Sequence, residues 1–371
     1  MPNPITLRTY LRPTGLASPA QPRTADAPGD VIRAAGRDDL ACWVVEVIAR
    51  SGPARDISYT MSAAGLRAWA ADGAAEGAFA ALLDRHEAPR AALAGLTLDR
   101  PRIMGIVNVT PDSFSDGGRL GSTEAAIAHA LQLAADGADI LDVGGESTRP
   151  GAQAITVDEE LRRVIPVIEG LAGKTAALIS VDTRKAEVMR RALAAGAHII
   201  NDVAALTYEP SCMDVAAASG APIVLMHAQG DPRTMQAAPR YDDCLLDICD
   251  WLADRIDACA AAGIDRARLI VDPGIGFGKT LDHNLELLAG LSLFHGLGVP
   301  VLLGASRKSF IGALTGVKVA SERVAGSVAA AIHGATQGVQ ILRVHDVAET
   351  RQALAVWEAM QRGAWNSNIQ R

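Results

Sequence analysis

The sequence has few aromatic residues, few cysteines and no long hydrophobic run. Aromatic side chains make up 4% of the 371 residues, and the five cysteines form no C-x-x-C pair. We interpret the cysteines as buried free thiols in a reducing cytosol. No stretch reaches the roughly 18 uninterrupted apolar residues of a membrane span, and the first residues lack the apolar segment of a secretory signal. We therefore expect a cytoplasmic protein without a membrane partner.

Basic residues are also scarce, and they are not clustered along the sequence. The chain has 35 Lys and Arg against 42 Asp and Glu, which gives a formal net charge of −7. The basic residues occur singly at the ends of motifs and not in blocks, which argues against a nucleic-acid partner. Apolar residues are abundant, at 49% of the chain. Such a composition suits helices packed over a buried parallel sheet.

Two parts of the chain differ in pattern. Residues 1–91 have weak periodicity, a Pro-rich start and an Ala-rich stretch that is typical of helix, and we interpret them as an N-terminal extension of unknown role. From residue 92 the pattern is regular: a hairpin-like piece, LAGLTLDRP, leads into alternating strand and helix patterns as far as residue 362. Residues 363–371 form a C-terminal tail.

Eight short apolar runs in the regular part are typical of parallel strands that are covered on both faces. They are residues 103–109, 139–144, 177–182, 198–203, 222–227, 268–272, 299–304 and 340–344. Amphipathic stretches separate them, and several of these end at a glycine suited to a left-handed helix cap: Gly137, Gly196, Gly263 and Gly338. Eight β-then-α units predict an α/β fold, a (β/α)₈ TIM barrel, and an open doubly wound sheet is the alternative.

Each predicted strand ends in polar residues that a buried strand does not need for packing. They are Asn108, Asp142, Asp182, Asn201, His227, Asp272, the group Ser306, Arg307 and Lys308, and the pair Arg343 and His345. Any one of them could be a cap or a structural hydrogen-bond partner. The carboxyl ends of all eight strands meet at one mouth of a TIM barrel, however, so the full set predicts an active site there.

Three loops beyond these strands carry chemical patterns. Residues 108–118, NVTPDSFSDGG, are polar and long enough to fold over a ligand. Residues 145–151, GESTRPG, present Arg149, which favours an anionic ligand. Residues 272–280, DPGIGFGKT, match the phosphate-binding pattern incompletely, because Gly274 and Gly278 are too close together. We interpret this third loop as a tight turn that exposes Asp272, with Phe277 as a wall for a flat ring.

The motifs NVTPDSFSDGG, DVGGESTRPG, SVDTRK, IND, LMH, DPGIGFGKT, SRKSF and RVHD, in this order, resemble the dihydropteroate synthase family over about residues 92–362. The resemblance implies a folate-biosynthesis enzyme and sulfonamide target, usually a homodimer. It would condense 6-hydroxymethyl-7,8-dihydropterin diphosphate with p-aminobenzoate, assisted by Mg²⁺, and release pyrophosphate.

The resemblance also implies roles for residues of this sequence. The pterin would be bound by Asp182, Asn201, Asp272 and Lys308, with Met226 and Phe277 packed near its rings. The diphosphate would be bound by Asn108, Arg149, Arg343 and His345, with Asn108 as the Mg²⁺ ligand. The p-aminobenzoate would be bound by Phe114, Thr148, Arg149, Pro150, Lys308 and Ser309. The catalytic roles fall to Asp182, Lys308, Arg343 and His345.

Two other functions remain open from the sequence. A pterin-binding methyltransferase of the corrinoid type shares the barrel, but it has no diphosphate to release, and the long first loop, SRKSF and RVHD favour the synthase. A non-catalytic relative would bind pterin or assemble with another protein. It should lack at least one of the residues implied for the reaction, such as Asn108, Asp182, Lys308 or Arg343, and all four are present.

Overall fold

The N-terminal extension forms a small sheet and two helices, as seen in a computed structural model that describes residues 8–18, 31–71, 78–109, 123–147, 154–230 and 234–363. Its elements are β1 (Arg8–Thr14), β2 (Ile32–Arg33), β3 (Ala41–Cys42), β4 (Val44–Arg50), β5 (Ile57–Ser62), α1 (Ala63–Ala71) and α2 (Ala78–Glu87). The Ala-rich stretch contributes both helices, as the sequence indicated. An antiparallel sheet in the order β1-β4-β5 was not predicted.

Within the described residues, the regular part of the chain contains eight strands, β6 to β13. They are β6 (Arg102–Asn108), β7 (Ile140–Gly144), β8 (Leu178–Asp182), β9 (Ile199–Asp202), β10 (Ile223–Met226), β11 (Leu269–Asp272), β12 (Leu302–Leu303) and β13 (Ile341–Val344). Each lies within its predicted range except β6, which begins one residue earlier.

Helices follow the strands along the chain. They are α3 (Thr123–Ala135), α4 (Val157–Leu171), α5 (Ala186–Ala194), α6 (Ser211–Ser219), α7 (Cys244–Ala261), α8 (Leu281–Ala289), α9 (Ser309–Thr315), α10 (Val324–Thr336) and α11 (Val347–Arg362). The glycines predicted to cap helices all have positive φ, from 82° at Gly338 to 114° at Gly196.

The eight strands close into a barrel. They are hydrogen-bonded in the order β11-β10-β9-β8-β7-β6-β13-β12, and the neighbouring pairs are parallel. Val271 of β11 pairs in parallel with Val301, next to β12, so the two ends of the sheet meet. The predicted (β/α)₈ barrel is confirmed, and the open sheet is excluded.

One end of the barrel is filled with apolar side chains. The hairpin-like piece forms an antiparallel bridge between Leu93 and Leu96, and Leu93 packs against residues near the strand starts such as Met104, Ile140 and Ile341. This end is therefore closed by hydrophobic packing, and the polar residues are left to the opposite end, where the strands finish.

The extension packs along α7 and the 3₁₀ segment Leu291–Leu297. Tyr10 donates a hydrogen bond of 2.8 Å to Asp250 of α7, and Ser292 donates one of 2.7 Å to the carbonyl of Pro13. Leu11, Val45 and other apolar residues form a second core inside the extension. The division at residue 91 stays a prediction, as does the C-terminal tail at residues 363–371.

Two of the expectations from composition can be compared with the structure. All five cysteines are free and buried, as interpreted from their spacing. Within the described part of the chain, none of the helices is long and apolar enough to span a bilayer.

Candidate active site

The barrel mouth brings together polar side chains from widely separated parts of the sequence. Asn108, Asp182 and Asp272 are the last residues of β6, β8 and β11. Asn201 lies in β9 and Arg343 in β13. Because all these strands are parallel, their carboxyl ends point to one opening, and the predicted convergence of these residues is confirmed.

Arg343 is the centre of a buried cluster at this opening. Its Nε donates a hydrogen bond of 2.6 Å to Asp142 Oδ2, and its Nη2 donates one of 2.7 Å to Asp182 Oδ2. Asn201 Nδ2 donates to the same oxygen of Asp142 at 2.9 Å. We call Asp142, Asp182, Asn201 and Arg343 the carboxylate cluster. Its two carboxylates share one guanidinium, so the cluster carries an excess of negative charge when both are ionised.

Burial controls the ionisation of the cluster. It raises the pKa of Asp182 to about 7; the charge of Arg343 opposes this shift and that of Asp142 adds to it. Burial opposes ionisation of Arg343 too, but the carboxylates of Asp142 and Asp182 raise its pKa, so the guanidinium stays charged. The Asp182 side chain is 11% exposed, so it faces the mouth and is available to a ligand.

A second group of site residues lies around the loop after β11. Asp272 Oδ1 accepts a hydrogen bond of 2.7 Å from the backbone N–H of Gly274, and burial raises the pKa of this carboxyl. The Lys308 ammonium lies 4.0 Å from the centre of the Phe277 ring. Gly276 has a φ of +83°, and a Cβ there would be 3.2 Å from the Lys308 side chain. The glycine therefore permits the close approach of Lys308 to this loop.

The two groups belong to one cavity. A Cβ built on Gly304, just beyond β12, would lie 3.7 Å from Asp272 Oδ2 and 4.0 Å from Arg343 Cβ. Gly304 therefore lies between Asp272 and the carboxylate cluster. The absence of a side chain at this position keeps the space between them open.

The loop after β11 is held from behind by a buried lysine. Lys279 Nζ donates a hydrogen bond of 3.0 Å to the carbonyl of Phe277 and lies 3.1 Å from His227 Nδ1. Burial lowers the pKa of Lys279 to about 7 and the pKa of His227 to about 3. His227 was grouped with the polar strand ends in the sequence, and the structure places it behind the loop as a structural partner.

The remaining predicted residues occupy different positions at the rim. Met226 is buried and pairs in register with Asp272. His345 Nδ1 is 3.0 Å from Ser306 Oγ, and Ser309 is exposed at the start of α9. Four residues assigned to the first two loops lie outside the described residues: Phe114, Thr148, Arg149 and Pro150. Their roles stay predictions.

The pairing of Arg343 changes how this residue is interpreted. The sequence assigned it to the diphosphate, whereas the structure joins it to Asp182 and Asn201 through the carboxylate cluster, on the pterin side of the predicted site. Its guanidinium is 20% exposed, so it can still reach a ligand in the mouth. Its diphosphate role stays a prediction.

Asp142, the cluster's fully buried carboxylate, was grouped with the polar strand ends but had no individual role in the sequence analysis. An acidic residue between Leu141 and Val143 in a buried strand requires a buried cationic partner, and that requirement could have indicated its role. A second buried ion network was also missed. Lys185 pairs with Glu146 and with Glu160, and this network lies at the base of the second predicted loop, where Glu146 is found.

The residues at the mouth fit a Mg²⁺ ion that takes few ligands from the protein. No group of three or more His, Cys, Asp or Glu suited to a metal occurs in the described ranges. Mg²⁺ does not require one, because it commonly takes one or two protein oxygens and completes its shell with phosphate oxygens and water. The half-buried Asn108 amide at the end of β6 offers such an oxygen.

A TIM barrel whose mouth combines buried carboxylates, an amide and a Lys–Phe pair is suited to an enzyme that binds a flat heterocycle. A family model described as "Pterin binding enzyme" matches residues 104–345. The dihydropteroate synthase of Escherichia coli strain K12 is 52% identical over 264 residues, which cover 71% of this chain and 93% of the relative.

Two solved structures are also similar. The dihydropteroate synthase of Xanthomonas albilineans with 4-aminobenzoic acid matches with 58% identity and a TM-score of 0.70, covering 74% of this chain and 98% of that chain. The same organism's enzyme in complex with 7,8-dihydropteroate matches with 55% identity and a TM-score of 0.67, covering 74% and 99%. The chain belongs to the pterin-binding enzyme family and, within it, to the dihydropteroate synthases, which are transferases.

Proposed function

We propose that the protein condenses 6-hydroxymethyl-7,8-dihydropterin diphosphate with p-aminobenzoate to form 7,8-dihydropteroate and pyrophosphate. The observation that carries the proposal is the carboxylate cluster, which joins Arg343 to Asp142, Asp182 and Asn201 beside Asp272 in one cavity. The ligands in the two Xanthomonas albilineans structures, an arylamine and a dihydropteroate, support the same pair of substrates.

The polar groups of the cavity complement a pterin. A pterin edge presents ring N–H and amino donors beside a carbonyl acceptor. Asp182 and Asp272 supply carboxylate acceptors, Asn201 supplies an amide, and Lys308 supplies a donor above Phe277. A ring with the wrong pattern would leave these buried groups unpaired, at a cost of about 1–3 kcal/mol for each group, so the cavity should select strongly for pterins.

The reaction needs charge stabilisation more than it needs a protein nucleophile. The bond between the pterin methylene carbon and the diphosphate oxygen breaks, and its electron pair leaves with pyrophosphate. The arylamine nitrogen attacks the methylene carbon and then loses a proton. Arg343 and His345 meet the negative charge of the leaving group, and ionised Asp182 stabilises the electron-poor pterin.

Asn108 and the substrate diphosphate would hold Mg²⁺, which supplies further charge neutralisation to the leaving group. This metal requirement belongs to the proposal, as do a cytoplasmic location and a homodimeric state. Light scattering on the purified protein tests the dimer, and a chelator added to the assay tests the metal. A monomer would contradict the homodimeric state, and full activity in excess chelator would contradict the metal requirement.

An assay of the purified protein with pterin diphosphate, p-aminobenzoate and Mg²⁺ tests the proposal as a whole. We expect pyrophosphate and dihydropteroate to form in equal amounts, and neither to form when p-aminobenzoate is omitted. Asp272→Asn should lower the rate, while Asp257→Asn, on the exposed face of α7, should not. Methyl transfer to a cobalamin, or pterin binding without any turnover, would favour one of the two alternatives instead.

A further inference from the structure

The turn between β4 and β5 contacts two neighbouring barrel helices, at the N-cap of α7 and in the second half of α8. Arg55, in this turn, donates hydrogen bonds to Asp243 at the beginning of α7, with Nε–Oδ2 and Nη2–Oδ1 distances of 2.5 and 3.3 Å. The same Nη2 lies 3.4 Å from Glu286 of α8. Asp243 also caps α7 by accepting from the N–H of Leu246. One extension side chain therefore bridges two neighbouring barrel helices.

Those two helices hold the loop after β11 from outside. Asn284 of α8 accepts a hydrogen bond of 2.7 Å from the N–H of Gly276. Tyr241, two residues before Asp243, donates one of 2.8 Å to the carbonyl of Gly278. Gly276 and Gly278 flank Phe277, the residue under the Lys308 ammonium. The loop therefore takes its position from the starts of α7 and α8.

Arg50 reinforces this attachment next to the same turn. It is buried and donates a hydrogen bond of 2.7 Å to Asp247, while its other nitrogen pairs with Asp250. Asp247 in turn accepts from the backbone N–H groups of Asp242 and Asp243. The guanidinium groups of Arg50 and Arg55 thus attach the start of α7 to the extension. One of their partners, Asp247, also holds the backbone just before this helix.

We propose that Arg55 is a positioning residue for the pterin side of the site: it fixes α8 relative to the start of α7, and through them the loop 273–279. The extension would then be part of the machinery that orders this loop, although none of its described side chains contributes to the carboxylate cluster. The expected effect of Arg55 on pterin KM rests on the proposed function, whereas its expected effect on the order of the loop does not.

The test compares two arginine variants of the full chain. Arg55→Ala removes the bridge. Arg67→Ala is the matched control, because Arg67 pairs with Glu87 inside the extension and is similarly exposed, 34% against 29%. For Arg55→Ala we expect KM for the pterin diphosphate to rise roughly three- to tenfold, the usual range for coupling through such networks. KM for p-aminobenzoate should rise less than KM for the pterin diphosphate in the same variant, because this substrate meets the loop through Lys308, which lies over Phe277.

Hydrogen exchange gives a readout that is independent of catalysis. The amides of residues 274–284 should exchange faster in Arg55→Ala than in Arg67→Ala, while the strands of the barrel keep their protection. If Arg55→Ala does not fold, Glu286→Gln is the second variant, because it weakens the contact of Arg55 with α8 from the barrel side. The amides of residues 274–284 should then also exchange faster than in the control, by a smaller factor. Equal exchange and equal pterin KM in the bridge variants and the control would overturn the proposal. So would a loss of protection throughout the barrel. Absence of turnover in the parent would refute the proposed function and leave the exchange result valid.

Discussion

The carboxylate cluster makes pterin binding depend on pH in a way that one substitution should shift. Burial raises the pKa of Asp182 to about 7, and the neighbouring charge of Asp142 contributes to that shift. Only the ionised form of Asp182 offers full acceptor strength to the N–H donors of a pterin. Affinity for a free pterin should therefore increase as the pH rises through about 7, with a midpoint that belongs to the coupled carboxylates.

Asp142→Asn removes the neighbouring negative charge while keeping the shape of the side chain. Two unit charges about 5 Å apart at an effective dielectric constant of about 20 interact by roughly 3 kcal/mol, which corresponds to about two pKa units. Arg343, now serving a single carboxylate, would favour the ionised form of Asp182 further. Because the two effects have the same sign, we expect the midpoint to fall by about one to two pH units.

Calorimetric titration with a free pterin between about pH 4.5 and 8, at constant ionic strength, covers both midpoints. Asp257→Asn is the control, because it removes a charge of the same sign from a side chain that is 72% exposed on α7. A midpoint in Asp142→Asn that is unchanged or higher than in the parent would refute the electrostatic coupling. The control should leave the midpoint where it is.

Three further predictions concern single residues. Arg343→Ala should lower kcat/KM by roughly 10²–10³-fold, the scale for losing one charge-stabilising donor, and should also weaken free-pterin binding, because the charge of Arg343 opposes the raised pKa of Asp182. Asp272→Ala should weaken free-pterin binding by about 2 kcal/mol but keep its affinity for pyrophosphate; calorimetry with each ligand measures both quantities, and loss of pyrophosphate binding in Asp272→Ala alone would contradict the assignment. Gly274→Ala should unfold at a lower temperature than the parent, because a Cβ there would lie 1.9 Å from the His227 carbonyl and φ is +69°; an unchanged Tm would disprove this. Burial lowers the pKa of His295 to about 3, so as the pH falls this histidine is protonated in the unfolded chain before it is protonated in the folded one. The free energy of unfolding should therefore decrease below about pH 6.5, by about 2 kcal/mol at pH 5. Between pH 7 and 5 the Tm of His295→Gln should fall less than the Tm of the parent, and an equal fall would exclude this histidine as a source of acid sensitivity.

The barrel could be predicted from the sequence because its strands are covered on both faces. Such strands are continuous apolar runs, and five of the six residues before Asn108 in β6 are apolar or glycine in the sequence RIMGIVN. Two strands of the extension lack this pattern. β5 is almost entirely exposed, and β1 combines buried Tyr10, Leu11 and Pro13 with less buried Arg and Thr, so local composition did not distinguish them from irregular chain. β4 is different: its sequence VVEVIAR is mostly apolar and buried, and it is a strand that the sequence analysis missed.

The residues of the site were easier to predict than their partners. The strand-end positions and the family motifs indicated Asp182, Asn201, Asp272 and Arg343. The hydrogen bonds of Arg343, however, connect residues 201 and 161 positions apart in the sequence. Such pairings depend on the closure and register of the barrel, which a strand pattern does not specify. The contact of Arg55 with α7 is hidden for the same reason, since 188 positions separate it from Asp243.

The charges at the mouth also determine which end of the proposed substrate can enter first. Asp182 and Asp272 lie at the ends of β8 and β11, and the shared Arg343 does not balance Asp142 and Asp182 fully. A diphosphate placed there would face carboxylates, so it would be repelled, whereas the donors of a pterin would be bound. In the proposed reaction the diphosphate should therefore point outward, where the partly exposed side chains of Arg343 and His345 can meet its charge. Binding in this orientation leaves the methylene carbon between the carboxylates and these two residues, where the arylamine can attack it from the opening.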